Sequence, residues 1–382
     1  MKRTLCLLLL LCLLPVAAWA QGDGAWEKDV LRILKKYHAL GAVVCLYTQE
    51  DGLRTVAYGQ TRRKGGAAVT EDTAFLTASV TKMVTAIGAL RLCEEGLLEL
   101  DGDIGETLGY PVRNPRHPDT PVTLRQLLTH TAGIKHNADY ALKDGKKRKT
   151  LQQMLSSGEN VKKNFASWAP GTRVEYSNFG AGIVGSLIEK ATGESLDAAM
   201  RRLVFAPLSI DASYTAGAMA DRSRIAAAYR ENGNFGYDPQ KDERIAACAP
   251  ENDYDLAVGS LMIAAPDLIK LLRVIAGDGS VDGVRILQAQ TAALMRSVQD
   301  GAGSVTAESG RGLSMERRDN LVRGRTICGH QGNVYGMLCE AYFDPEDGTA
   351  VVMLTNAIDK ERDDRGRFAA GVEMLKRCFE RK

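Results

Sequence analysis

Runs of apolar and β-branched residues near both ends of the chain predict paired strands. Residues 42–48 (AVVCLYT) and 53–59 (LRTVAYG) flank the polar stretch QEDG, which is the pattern of a β-hairpin. Residues 337–357 (MLCEAYFDPEDGTAVVMLTNA) repeat this pattern around a Pro-Glu-Asp-Gly turn. An amphipathic helix is predicted to follow over about residues 368–379.

The centre of the chain, roughly residues 97–290, is predicted to be mainly helical and rich in loops. Strand pairs at both ends with helices between them indicate one sheet built from the two termini and a helical insertion. We therefore expect residues 21–96 and 291–382 to form a sheet lobe and residues 97–290 a mainly helical lobe, together as one unit.

The first twenty residues (MKRTLCLLLLLCLLPVAAWA) have a basic start, a short apolar run and an Ala-Trp-Ala ending, which is typical of a secretory signal peptide. The run is short for a membrane span, so we expect cleavage, with an uncleaved anchor as the alternative. The best later candidate for a span, residues 256–276, is broken by a proline and three charged residues. The sequence predicts an exported protein (periplasmic, cell-surface or extracellular) with no membrane span after cleavage.

Composition narrows the class of protein further. The chain has 382 residues, of which 45% are hydrophobic and 25% charged, as in ordinary globular proteins. Removal of Lys2 and Arg3 with the signal takes two positive charges from a formal net charge of +2 and leaves zero, so charge gives no reason to expect a nucleic-acid partner. The basic run KDGKKRKT at 143–150 is interpreted as a solvated loop, with contact to an acidic polymer such as cell wall as the alternative.

Two of the eight cysteines lie in the predicted signal, and six remain. They are Cys45, Cys93, Cys248, Cys328, Cys339 and Cys378. Without a CxxC spacing they predict mostly buried free thiols and no metal or redox motif, although an exported chain can pair some of them. The sequence defines neither disulfide pairing nor oligomeric state.

A lysine lies in an unexpected place at the start of the most apolar helix. Residues 80–95 carry apolar residues at helical spacing and few polar ones, which predicts a helix buried nearly all round that ends at Gly96. An N-cap role would explain Ser79 but not Lys82, because the helix dipole and burial both disfavour a cation there and lower its pKa. A neutral Lys82 amine three residues from Ser79 can accept its proton and activate it as a nucleophile.

Two later segments carry further candidate residues. Tyr176 and Asn178 lie at the junction between an extended segment and a helix, where they either pack and cap or present a proton relay and a carbonyl-binding amide at a cleft. His330, on or beside a strand, is either a packed residue or a ligand contact. The flanking Gly329 and Gly332 would let a ligand approach the backbone closely.

Other motifs are assigned to structure. The G-x-G-x-x-G pattern of Gly180, Gly182 and Gly185 lies inside a helix with no βαβ unit around it, so we expect close helix packing and not dinucleotide binding. His130 and His136 match no zinc spacing and are interpreted as structural. The chain has no G-x-S-x-G sequence, which argues against an ordinary α/β-hydrolase.

The three candidate segments resemble, in order, the motifs of the serine β-lactamase-like hydrolases. This family includes class C β-lactamases, DD-carboxypeptidases, D-aminopeptidases and related esterases, and the resemblance covers about residues 35–360. Residues 79–82 (SVTK) are similar to its S-x-x-K motif and residues 176–178 (YSN) to its Y-x-N motif. Residues 330–332 (HQG) are similar to the third motif, which is K-T-G in β-lactamases and H-x-G in many peptidase and esterase relatives.

The resemblance implies an α+β fold, with an antiparallel sheet from both termini flanked by helices and joined to a mainly helical lobe. It also implies catalytic roles for residues at the junction of the two parts. Ser79 would attack a carbonyl and form an acyl-enzyme, Lys82 would be the base, and Tyr176 would return the proton to the leaving group. No cofactor and no metal are implied.

The same resemblance implies a set of substrate contacts. Asn178 would contact the substrate amide, and His330 and Gly332 would line the strand along which substrate lies. The backbone N–H groups of Ser79 and Asn333 would form the oxyanion hole.

One departure from the β-lactamase pattern affects the expected substrate. His330 stands where β-lactamases carry lysine, and a neutral imidazole is a weaker partner for a substrate carboxylate than an ammonium. The sequence therefore favours a DD-peptidase- or esterase-like hydrolase that acts on a peptide, D-amino-acid amide or ester carbonyl of a small molecule or cell-wall peptide. The alternatives are a β-lactamase and a non-catalytic penicillin-binding or sensor protein.

Overall fold

The molecule is described by a computed structural model that covers residues 24–136, 149–157, 161–239, 241–242, 254–299 and 310–380. The predicted signal peptide, most of the basic run and Cys248 lie outside these segments. Among the helices that the segments contain, none combines the length and the apolar character needed to cross a bilayer.

Strands and helices alternate along the described chain. The strands are β1 (Gly41–Thr48), β2 (Gly52–Gly59), β3 (Ala74–Leu76), β4 (Arg113–Asn114), β5 (His117–Pro121), β6 (Ala228–Tyr229), β7 (Phe235–Tyr237), β8 (Met262–Ala264), β9 (Ser280–Val281), β10 (Val284–Arg285), β11 (Gly310–Gly312), β12 (Met315–Arg318), β13 (Ile327–Val334), β14 (Met337–Phe343) and β15 (Ala350–Ala357). The α-helices are α1 (Ala25–Lys36), α2 (Val80–Glu94), α3 (Ile104–Leu108), α4 (Leu124–Leu128), α5 (Asn178–Thr192), α6 (Leu196–Met200), α7 (Leu256–Gly259), α8 (Ala265–Ala276), α9 (Ala289–Arg296) and α10 (Ala369–Phe379). Short 3₁₀ or π turns occupy Gln153–Ser157, Val161–Asn164, Arg201–Phe205, Ala206–Leu208, Ala216–Ala218 and Arg222–Arg224.

Seven strands form one antiparallel sheet in the order β11-β12-β13-β14-β15-β1-β2. Both predicted hairpins are present, as β1–β2 and β14–β15. The two ends of the chain meet where β1 pairs with β15, with Val44 opposite Met353. The predicted α+β fold with a sheet built from both termini is confirmed.

Alternating side chains divide the sheet into two apolar faces. On one face, Val44 and Met353 pack in a cluster with residues of α1 and α10. On the other face, Val43 and Leu354 belong to the larger cluster that includes residues of α2, α5 and α8. The second face carries the helices that hold the candidate nucleophile and its neighbours.

The helix α8 lies in the part of the chain that the sequence assigned to the helical lobe. In the structure it contacts β1, β14 and β15 and so covers the sheet. One apolar cluster runs from these strands through α2 into α5 and α6. The boundaries near residues 97 and 290 therefore stay a prediction, since packing is continuous across them.

The described cysteines carry free thiols. Cys45, Cys328, Cys339 and Cys378 are buried, and Cys93 is half-buried. Burial raises the pKa of the Cys45 and Cys339 thiols to about 12, so these groups stay protonated and act as small apolar side chains.

The glycine-rich face of α5 allows a second helix to approach closely. A Cβ atom on Gly182 would lie 2.2 Å from the Tyr254 carbonyl oxygen, and one on Gly185 would lie 2.8 Å from Ala257 Cβ. Tyr254 lies two residues before the start of α7, which contacts both α5 and α2. The G-x-G-x-x-G pattern thus serves close helix packing, as the sequence predicted.

A buried carboxyl group lies on the α10 face of the sheet. Glu340 of β14 is 1% exposed, and its Oε1 accepts a hydrogen bond from Gln331 Nε2 at 2.8 Å. Its Oε2 is buried and has no hydrogen-bond partner among the described residues. Burial raises the pKa of Glu340 to about 8, whereas Gln331 and Arg318 act in the opposite direction. Glu340 is therefore mostly protonated at neutral pH.

Substitution of Gly182 tests the role of the close contact. Gly182→Ala should lower the free energy of unfolding by about 1–3 kcal/mol, because the new methyl group overlaps a backbone oxygen. Gly180→Ala is the matched control in the same helix, since its Cβ would meet only ordinary contacts at 3.5 Å and beyond. It should be neutral or stabilising by up to about 1 kcal/mol. Urea denaturation measures both, and equal effects would contradict the packing role.

The Glu340 carboxyl should make stability depend on pH. Its folded pKa of about 8 lies above the ordinary glutamate value of 4.5, so the proton it binds stabilises the fold at low pH, and this stabilisation is lost as pH rises towards 8. Relative to Glu340→Gln, the wild type should lose on the order of 4 kcal/mol between pH 5 and 9, because each pH unit between the two pKa values is worth about 1.4 kcal/mol. Denaturant unfolding at each pH measures this. Glu346→Gln, at an exposed glutamate, is the control, and its stability should change with pH in the same way as that of the wild type.

Candidate active site

A tight turn between β3 and α2 presents Ser79. Thr77, just after β3, is held by two hydrogen bonds to the Leu261 carbonyl, from its N–H at 2.9 Å and its hydroxyl at 3.0 Å. Ala78 follows with a φ of 47°, a left-handed conformation that is uncommon for residues other than glycine. Ser79 occupies the N-cap position of α2, but its side chain makes no capping hydrogen bond. Its hydroxyl is thus free of the helix backbone.

Lys82 lies in the first turn of α2 and is only 3% exposed. Its Nζ atom is 3.0 Å from Ser79 Oγ and donates a hydrogen bond to the Val258 carbonyl at 2.6 Å. Burial lowers the pKa of Lys82 to about 7, so a large fraction of the amine is neutral near physiological pH. The structure thus brings together the two side chains that the sequence paired, and the pKa of Lys82 is shifted in the predicted direction.

Tyr176 closes the site from the opposite side. Its hydroxyl donates a hydrogen bond to Ser79 Oγ at 3.0 Å, and its ring centroid lies 5.3 Å from Lys82 Nζ. The side chain is 37% exposed, so it stands at the opening of the site. Ser79 Oγ therefore has an amine and a phenol within hydrogen-bond distance.

His330 of β13 lies near Tyr176, with 6.3 Å between the ring centroids. Its Nδ1 is 2.7 Å from the Gln331 carbonyl oxygen, which can only accept, so Nδ1 carries the proton. Nε2 is then a bare acceptor, and it is buried without a partner in the described part of the chain. Burial lowers the pKa of His330 to about 4, with Lys82 acting in the same direction. The third motif thus presents a neutral acceptor and not a cation.

Asn178 is the first residue of α5. Its neighbour Ser177 is the N-cap, whose hydroxyl accepts a hydrogen bond from Gly180 N–H at 3.0 Å, and this leaves the Asn178 amide free of capping. The Asn178 Oδ1 atom is buried and has no hydrogen-bond partner among the residues described. It is a second acceptor suited to a substrate N–H or O–H group.

Gly332 allows β13 to lie against the start of α2. A Cβ atom at Gly332 would lie 2.1 Å from the Thr77 carbonyl oxygen, so a larger residue would push the strand away from the turn that carries Ser79. The next residue, Asn333, is exposed, and its side-chain oxygen accepts a hydrogen bond from Lys360. The oxyanion-hole roles of the Ser79 and Asn333 N–H groups stay a prediction.

His130 is a residue of the site that the sequence analysis assigned only a structural place. It is buried, and its ring centroid lies 4.4 Å from that of Tyr176. Its spacing matched no metal motif, and its partners are 46 residues away along the chain, so no local pattern pointed to it.

The assembled groups support acyl transfer. A neutral amine can accept the Ser79 proton, the phenol can pass a proton to a leaving group, and two buried acceptors can orient a substrate. In the residues that the structure describes, no cluster of His, Cys, Asp or Glu side chains is arranged to hold a metal ion. The fold and site together are those of a serine hydrolase of the β-lactamase-like class.

Comparison with known proteins agrees with this class. A family model described as Beta-lactamase matches residues 26–374, and the chain belongs to this family. Penicillin-binding protein 4 of Amycolatopsis lactamdurans is 30% identical over 345 residues, which cover 87% of this chain and 84% of that protein. Esterase EstB of Burkholderia gladioli is 32% identical over 214 residues, which cover 52% of each chain.

Solved structures show the same fold. The D-amino acid amidase of Ochrobactrum anthropi has a TM-score of 0.70 and 21% identity, with 93% of this chain and 97% of that chain covered. At this level of sequence identity, the similarity supports a shared fold and not a shared activity. The family, the fold class and the assignment to serine hydrolases, all expected from the sequence, are confirmed.

Lys82 should set the acid limb of activity. Because a protonated amine cannot accept the Ser79 proton, kcat/KM on an ester substrate should fall about tenfold per pH unit below a pKa of about 7. Lys82→Arg should lower kcat/KM by about 10³-fold, since a guanidinium stays protonated. Lys270→Arg, in a surface pair with Asp267, is the control and should leave the pH profile unchanged. Near-normal rates for Lys82→Arg would place the base elsewhere.

Proposed function

We propose that this protein is an exported serine hydrolase that cleaves a peptide, D-amino-acid amide or ester bond through an acyl-Ser79 intermediate. The observation that carries the proposal is the buried Lys82 amine, 3.0 Å from Ser79 Oγ and with a pKa lowered to about 7. A lysine kept neutral next to a hydroxyl is a general base, and a purely structural role would favour an apolar residue in its place.

The reaction has two halves. Neutral Lys82 takes the Ser79 proton while Oγ bonds to the substrate carbonyl carbon. The bond to the leaving nitrogen or oxygen then breaks, and that atom receives the proton from Lys82 through the Tyr176 hydroxyl, which contacts the same Oγ. In the second half, a water gives one proton to the again neutral Lys82 while its oxygen bonds to the acyl carbon. The bond from that carbon to Ser79 Oγ then breaks, Oγ takes this proton from Lys82, and the acid product leaves.

The acceptors in the site support the choice of substrate. His330 Nε2 and Asn178 Oδ1 are both buried and unpartnered among the described residues, and both accept hydrogen bonds. Such a site favours a substrate with N–H or O–H groups near the scissile carbonyl and disfavours a carboxylate, which would face a lone pair. This supports a peptidase, amidase or esterase over a β-lactamase.

The relatives support the same range of substrates. They include a penicillin-binding protein, an esterase and a D-amino acid amidase. Export is part of the proposal and follows from the signal-like residues 1–20. A penicillin-binding protein that acylates once and turns over slowly is the second candidate, because a relative that covers 87% of this chain carries that name.

Intact mass spectrometry with benzylpenicillin and with small ester and amide substrates tests the proposal. Ser79→Ala should lose every covalent adduct and at least about 10³-fold in turnover, because the hydroxyl is the attacking group. Ser167→Ala, at an exposed serine, is the matched control and should keep full activity. Full activity of Ser79→Ala on every substrate would end the proposal.

The lifetime of the adduct separates the candidates. A fleeting penicilloyl adduct with many turnovers indicates a β-lactamase, and a lasting one indicates a penicillin-binding peptidase or sensor. Turnover of esters or amides without any penicilloyl adduct supports the amidase or esterase form of the proposal.

A further inference from the structure

His130 contacts three successive residues of the segment that carries Tyr176. Its backbone carbonyl accepts a hydrogen bond from Glu175 N–H at 2.9 Å, and its ring lies 4.4 Å from the Tyr176 ring at an angle of 44°. Its Nδ1 atom accepts a hydrogen bond from Ser177 N–H at 3.3 Å. One residue thus holds the backbone on both sides of the phenol and supports the phenol itself.

The hydrogen bond from Ser177 N–H defines the protonation state of the His130 imidazole. A backbone N–H can only donate, so Nδ1 must carry no proton and the ring is neutral. The ring is buried, and the charged or titratable groups that face it are Lys82 of α2, Arg311 of β11 and His330 of β13, together with Tyr176. Burial and the first three all lower the pKa of His130 well below 6.5.

The backbone at His130 is held in place independently of Tyr176. His130 follows α4, whose N-terminus has a full capping box formed by Thr123 and Gln126. Its N–H donates to the Leu127 carbonyl at 3.3 Å, and its φ is 59°, which turns the chain sharply towards the site. The α4 helix in turn packs against α5. His130 therefore belongs to a rigid part of the helical region.

Tyr176 needs such support. It lies outside the regular helices and strands, shortly before α5, and is 37% exposed, so contacts from other segments decide where its hydroxyl lies. Its hydroxyl must nevertheless stay 3.0 Å from Ser79 Oγ to pass a proton to the leaving group. A displacement of about 1 Å in such a group is enough to lower a rate about 100-fold.

We propose that His130 is a positioning residue that keeps the Tyr176 hydroxyl at Ser79. The neutral ring supplies an acceptor for Ser177 N–H and a surface for the phenol, and its carbonyl orders Glu175. The inference rests on the proposed function, in which Tyr176 delivers the proton to the leaving group. In the described part of the chain, the contacts of His130 near the site are with residues 175–177 and not with Ser79, so it acts through Tyr176.

Two substitutions that both tolerate a left-handed backbone separate this role from general stability. His130→Asn keeps an acceptor, since Asn Oδ1 can take the place of Nδ1, whereas His130→Gly removes the acceptor and the ring. In an ester assay, kcat of His130→Gly should fall about 10- to 100-fold with little change in KM, and His130→Asn should recover most of the loss. Circular dichroism and thermal unfolding confirm that both variants are folded.

A second readout isolates the leaving-group step. A fluorophosphonate probe reacts with Ser79 and releases fluoride, which leaves without a proton from Tyr176. Labelling of His130→Gly should therefore stay within about threefold of wild type while ester turnover falls. A variant whose site is merely distorted would lose labelling and turnover in parallel, and this outcome overturns the inference.

The remaining outcomes are also decisive. Equal ester turnover in His130→Gly and His130→Asn would show that the acceptor has no positioning role and would overturn the inference alone. Failure of the wild type to turn over any ester or amide would instead overturn the proposed function, and the inference would fall with it. If His130→Gly loses ester turnover but keeps probe labelling, and His130→Asn recovers the turnover, both the proposed function and the inference are supported.

Discussion

The ε-amino group of Lys82 is almost completely removed from water, and the rest of the site is arranged around it. Its two hydrogen-bond partners are Ser79 Oγ and the Val258 carbonyl, so neither is an anion that could stabilise an ammonium by charge. Burial of an unpaired charge is costly, and the amine responds by giving up its proton. Burial of an amine without a charged partner would destabilise an ordinary core. Here the same burial favours a neutral amine, which can act as a base, beside the Ser79 hydroxyl.

Close backbone contacts keep this arrangement in place. Gly182 of α5 lets the segment of Tyr254, which leads into α7 and Val258, approach α5, and Gly332 lets β13 lie against the turn before Ser79. Neither approach is open to a residue with a Cβ atom. The distance between the sheet and the helical region is therefore set by glycine, and the catalytic distances follow from it.

Much of the fold and of the candidate site could be predicted from the sequence. The features that could not be predicted have one cause in common. The terminal hairpins, the buried helix α2 and the pairing of Ser79 with Lys82 follow from local periodicity, because each depends on residues only a few positions apart. The packing of α8 on the sheet, the raised pKa of Glu340 and the place of His130 depend on elements that are far apart along the chain. Periodicity carries no information about such contacts.

Local sequence is thus sufficient to pair Ser79 with Lys82, since an S-x-x-K spacing on one helix brings the two side chains together wherever the helix lies. With the two later motifs it also indicates the family. Only the folded chain shows which side chains surround that pair. It brings Tyr176 to Ser79 from 97 residues away, turns His330 into an acceptor through a bond to its neighbour's carbonyl, and places His130 behind the phenol. These features depend on burial and on distances in space, which a linear pattern does not record.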